Sequence, residues 1–136
     1  EKGRATAIGD WADYTPTWTA TGVAPALGNG TLTGRKMYVG RTVFFEAQLT
    51  IGSTSILGSG IWQFGLPDTV TGSFTVLAMV GTSAAVYLGR GFQYAPCAGW
   101  VQKISGASSA ENWITPAFPV AFAAGDYVQI KGHYAI

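Results

Sequence analysis

Between Thr42 and Ile51 the chain reads TVFFEAQLTI, and apolar side chains fall on every second position: Val43, Phe45, Ala47, Leu49 and Ile51. Thr42, Phe44, Glu46, Gln48 and Thr50 occupy the places between them. Successive side chains of a strand point to opposite faces, so this register predicts a long strand with one buried face and one mostly polar face. Wound as a helix of about 3.6 residues per turn, the same five apolar groups would scatter around the cylinder instead of forming a stripe.

The alternation recurs along the chain. Tyr14 to Thr19 carries strand-forming residues, and Pro16, which has no N–H for a ladder, places that segment at a sheet edge or a strand start. Thr21 to Gly34 is rich in Gly and Thr and contains Asn29-Gly30, a pair tolerant of positive φ from which a hairpin turn is expected. A strand is predicted from Thr31 to Val39, with Gly40-Arg41 turning the chain directly into the strand that starts at Thr42. After the loop GSTSILGSG, Ile61 to Leu66 predicts a short strand stopped by Pro67-Asp68.

Ser73 to Val80 differs in kind. Phe74, Val76, Ala78 and Val80 lie on one side and Leu77 and Met79 on the other, so one face is expected in the core and the second against another sheet or a neighbouring subunit. Ala84 to Tyr94 sets Val86, Leu88, Arg90, Phe92 and Tyr94 against Tyr87, Gly89, Gly91 and Gln93, with Arg90 reaching a rim or pairing with a carboxylate. Ala95 to Gly99 reads as a turn, Trp100 to Ile104 as a strand and Ser105 to Ala110 as a loop. Trp113 to Phe122 reads as an edge strand because of Pro116 and Pro119, and Ala124-Gly125-Asp126 as the turn into a last strand, Tyr127 to Ala135.

About eight or nine strands, with turn signals every 8 to 12 residues and no amphipathic helix, predict an all-β sandwich or barrel. The specific expectation is a jelly-roll-like antiparallel β-sandwich over 13–136, preceded by a short N-terminal arm over 1–12. Ile8 and Trp11 are the residues expected to anchor that arm.

Composition sharpens the picture. The 136 residues suit one domain, and only 11% are charged, against roughly 25% in an average soluble domain. Such a surface is either dressed in Thr, Ser, Gln and Asn or partly covered by copies of itself. In the second case Leu77, Met79, Tyr127, Gln129 and His133 are the candidate subunit contacts. The net charge of +1, with its basic residues dispersed, argues against a nucleic-acid partner. No apolar run approaches the roughly 20 residues of a membrane-spanning helix, so membrane insertion is not expected. Cys97 is the only cysteine, so no intrachain disulfide is possible, and it reads as a small buried side chain.

Candidate chemistry is sparse. His133 is the only histidine, Glu46, Asp68, Glu111 and Asp126 stand isolated, and neither a nucleophile elbow nor a Gly-rich loop leading from strand to helix is present. No catalytic residue, metal site or cofactor is expected, and the chain reads as a non-enzyme. Aromatic residues are the better lead: Trp18, Trp62, Trp100 and Trp113, with Tyr38, Tyr87, Tyr94 and Tyr127, exceed the needs of a core this size. Each taken alone fits inter-sheet packing, whereas an exposed one fits a sugar ring or a protein partner. Trp113, Trp100 and Trp62 are the candidates for glycan or partner contact, Trp113 first because it stands beside a polar loop and ahead of two prolines.

The run YTPTWTATGVAPALGNGTLTGRKMYVGRTVFFEAQLTIGSTSILGSG, with the ending PVAFAAGDYVQIKGHY, resembles a β-sandwich domain that recurs in minor tail proteins and tail-fibre tips of phages infecting actinobacteria. The likeness lies in Tyr14 to Gly60 and Pro119 to Tyr134, under half of the chain, and the stretch between carries no signature of the family. The ending also looks like the final strand of trimeric jelly rolls of the tumour-necrosis-factor type, where that strand lies near the three-fold axis. The resemblance implies a homotrimer on the virion exterior, tail-associated and serving host attachment. Its partners would be sister copies, other virion proteins of tail or capsid, and a host cell-wall glycan as one candidate receptor. A capsid decoration protein bridging capsomers is the alternative, and a carbohydrate-binding module a third.

Overall fold

The computed structural model describes residues 9–68, 75–92, 97–105 and 108–136. Their strands are β1 Ala12–Tyr14, β2 Trp18–Ala20, β3 Thr31–Val39, β4 Thr42–Thr50, β5 Trp62–Phe64, β6 Thr75–Gly81, β7 Val86–Phe92, β8 Cys97–Ser105, β9 Ser108–Trp113 and β10 Tyr127–Ala135. Every pairing is antiparallel, in the order β1-β3-β4-β10-β6-β7-β8-β5-β2, with β9 also on β8. The fold is an all-β, jelly-roll-like antiparallel sandwich. The first six strands of that order make the main layer, and β8 carries the ladder over to the small β5-β2 layer that packs on its inner face.

β4 behaves as its alternation predicts. Val43, Phe45, Ala47, Leu49 and Ile51 are buried and the residues between them are half-buried. Gly40, at φ 59°, is the first residue of the tight turn joining β3 to β4, where a side chain would be strained. β10 slots between β4 and β6, so Val128 and Ile130 line up with Leu49 and Ala47 on one side and with Val80 and Ala78 on the other. Together they floor the core, and Trp62 and Phe64 of β5 roof it with Ile114 and Phe122.

Trp62 is the keystone of that roof. Its indole N–H donates to the Leu57 carbonyl at 2.9 Å, its ring meets Trp18 edge-on at 5.2 Å, and it lies 4.6 Å from Phe122. Tyr134 closes the far end: its hydroxyl donates to the Asp68 carbonyl at 2.9 Å and accepts from the Asp68 N–H at 3.0 Å. A buried hydroxyl needs such partners, and here both are backbone groups of the segment after β5.

Pro16 separates two strands that both lie at ends of the sheet order, in line with its missing donor. The arm gives up its last residue to the fold, since Ala12 pairs with Lys36 in β1.

Several expectations need correction. Asn29-Gly30 is not a hairpin turn: the turn runs from Leu27 to Gly30, its positive φ belongs to Gly28, and the strands on either side of this loop are not neighbours. Asn29 instead clasps the facing loop, donating from Nδ2 to Ser53 Oγ and accepting at Oδ1 from the Thr54 N–H. The expected loop 105–110 is largely strand, because β8 runs to Ser105 and β9 starts at Ser108. The expected edge strand 113–122 is mostly irregular: β9 stops at Trp113, and Pro116 and Pro119 remove two donors from the segment beyond it. Cys97 opens β8 rather than sitting in a turn. Phe74, Ile8 and the side chain of Cys97 lie outside the described residues.

Candidate interaction surface

The outer face of the main layer can be laid out from the ladder registers, because residues directly opposite one another share a face. One row across the strands is Asp13, Arg35, Glu46, Lys131, Leu77 and Arg90. The next on one side is Thr33, Gln48, Gln129, Met79 and Leu88, then Thr31, Thr50, Tyr127, Gly81 and Val86. On the other side stand Met37, Phe44 and His133. The face is polar over β3, β4 and β10 and apolar over β6 and β7.

On the apolar half, Leu77 is 46% exposed, and Val86 and Leu88 are each 58% exposed. Met79 is half-buried between Leu77 and Leu88, and the Tyr127 ring lies over Gly81, where any Cβ would collide with it. The apolar set of β7 that contains Val86 and Leu88 thus points outward, and Tyr87, from the Gly-rich set, packs on the core.

The polar half is ordered by charge alternation across the strands. Asp13, Arg35, Glu46 and Lys131 alternate in sign along one row, and Arg35 Nε meets Glu46 Oε1 at 2.6 Å. Arg35 also lies over the Trp11 ring, 4.5 Å from its centroid, and Phe44 and His133 meet at 5.1 Å. Two depressions open here. One, of about 160 Å³, is bordered by Asp13, Thr33, Arg35, Glu46, Gln48 and Gln129. The other, of about 410 Å³, is bordered by Trp11, Phe44, Glu46, Leu77, Lys131 and His133.

The candidate residues therefore separate. Leu77, Met79, Tyr127, Gln129 and His133, drawn from two strands on grounds of patterning, all stand on this one face. Trp62 does not reach a surface: at 0% exposure it is a core residue, and the reading of it as a glycan or partner contact is corrected, because its ring is needed to fill the space beneath β5. Trp113 is half-buried at the end of β9, opposite Trp100 and away from the two depressions, and the side chain of Trp100 lies outside the described residues, as does Ile8. Trp11 is 42% exposed, with Arg35 of β3 over its ring, and it lines the larger depression. Sequence reasoning missed Phe44 as a surface aromatic. The signal was there, since Phe44 is the one large apolar residue among the polar positions of its strand.

Among the described residues no three His, Cys, Asp or Glu side chains gather so as to hold a metal, and no helix is long and apolar enough to cross a membrane. Fold and surface define a β-sandwich with a two-part outer face, one half apolar and one half polar with aromatic residues. No protein-family model, curated protein or solved structure matches the chain.

Proposed function

We propose that this chain is a non-enzymatic surface domain of a phage virion, working as a homotrimer in tail-associated host attachment. The observation that carries the self-association is the exposed apolar half of the outer face, Leu77, Val86 and Leu88, in a chain with 11% charged residues. Obligate interfaces have this character, that of a core cut in half. The virion setting is supported by the resemblance over Tyr14 to Gly60 and Pro119 to Tyr134. The mechanism is passive: copies held together present identical shallow surfaces, and simultaneous engagement turns weak contacts into avidity.

The test has two parts. Native mass in solution is expected to be three times that of one chain, and a labelled antibody against the domain is expected to mark the tail of intact particles. Label over the capsid would favour a decoration protein that bridges capsomers. A monomeric mass with saccharide affinity would favour a free-standing carbohydrate-binding module.

A further inference from the structure

The polar half of the outer face is not needed for the apolar contact proposed at Leu77, Val86 and Leu88, although it holds Gln129 and His133 from the candidate subunit contacts. Its two depressions adjoin at Glu46, which borders both. The amides of Gln48 and Gln129, opposed in register and half-buried, make no hydrogen bond to other described residues. Glu46 commits Oε1 to Arg35 and leaves Oε2 facing no partner among the described residues. On the far side of Glu46 and Lys131, in the larger depression, stand the rings of Trp11, Phe44 and His133.

We propose that this strip is a saccharide site that takes a short neutral oligosaccharide. The charges decide against ionic ligands. Asp13 and Glu46 balance Arg35 and Lys131, and they alternate along the row, so no net field favours a phosphate, a sulfate or a polyamine. What remains is a set of planar groups able to donate and accept in the smaller depression and aromatic surface in the larger, both shallow and open, with Glu46 bordering the two. A short neutral oligosaccharide offers both surfaces along its length, since Phe44 and Gln48 lie about 13 Å apart on β4. The C–H face of one sugar ring packs on an aromatic ring in the larger depression, while hydroxyls of its neighbours donate to Glu46 and exchange hydrogen bonds with the glutamine amides in the smaller one. A peptide from another protein would want the apolar half of the face, which lies on the other side of Leu77. The inference deepens the attachment reading, on which it rests for the source of the sugar, and it names where on the domain the sugar sits.

The test is a titration of the isotope-labelled chain with cellotriose, maltotriose and N,N′,N″-triacetylchitotriose, with a sulfated trisaccharide as charged comparator, following backbone amide shifts. At least one neutral trisaccharide is expected to shift Glu46, Gln48, Gln129, Lys131 and His133 saturably, with a millimolar Kd. Trp11→Ala and Gln129→Ala are each expected to weaken it about tenfold while the rest of the spectrum stays dispersed. The proposal is overturned if none of the neutral sugars moves these amides, if the shifts map elsewhere, such as around Trp113, or if the sulfated comparator binds better. It is overturned as well if the same amides shift on simple dilution, since a second copy then occupies the strip. Native mass measured on the same sample tells a failure of this site from a failure of the oligomeric reading.

Discussion

Replacing Leu88 by Asp tests the assembly at an apolar position of the outer face that is, with Val86, its most exposed. Full burial of a leucine stabilises by about 1.5–3 kcal/mol, so covering the 58% of Leu88 that faces solvent contributes about 1–1.5 kcal/mol per copy. Val86 and Leu77, at 58% and 46%, add about 1 kcal/mol each by the same reasoning. Leu88→Ala therefore weakens assembly by about tenfold per copy and leaves oligomers at high concentration. Leu88→Asp does more, because a carboxylate placed in the contact also loses its hydration, at a cost of several kcal/mol, about enough to dissociate the assembly at micromolar concentration. The single chain tolerates the change, since the side chain points away from the core and strand propensity shifts by at most about 1 kcal/mol. Sedimentation velocity over a dilution series reads the outcome, with Thr50→Ser as a control expected to keep the native mass. A Leu88→Asp protein of unchanged mass, or a wild type that is already monomeric, refutes the reasoning.

Other substitutions probe the fold. Trp62→Ala removes the ring that roofs the core and is expected to cost about 3–5 kcal/mol in urea unfolding, with no specific effect on partner binding. Tyr134→Phe leaves both backbone polar groups of Asp68 without the hydroxyl, and a loss of about 1–3 kcal/mol in the same assay is expected. Gly34→Val drives a side chain into Tyr14 and Pro16, whose atoms lie 2.7 Å from where its Cβ would be. Overpacking of about 1–3 kcal/mol should lower the melting temperature and speed proteolysis between Gly9 and Pro16.

The long strands were legible because burial on one side imposes a period of two, and β4 and β10 carry that period without interruption. The Gly40 turn was legible for a related reason, since a tight connection admits few residue types. β9 was not legible. Its sequence, SSAENW, has no apolar alternation, and it becomes a strand by pairing with β8. Tertiary context overrides propensity in such segments. The Asn29-Gly30 error has the same origin: a side chain bound to a distant loop fixes the local geometry more firmly than the dipeptide's own preference. At the surface, patterning separated the outward from the core-facing residues of β6 and β10 but misread Trp62, because which aromatic is roofed over depends on how the layers stack. The pairing of Phe44 with His133 depends on a register between positions far apart in sequence.

The central place of β10 has a consequence for synthesis. The ribosome delivers β4 and β6 well before the segment that joins them, so the growing chain carries two open ladder edges until residues 127–135 emerge. Partners this distant in sequence make for slow folding. When several copies are made side by side, the late strand of one nascent chain meets the waiting gap of another, and intermolecular exchange of that strand is the characteristic error such an order of events invites.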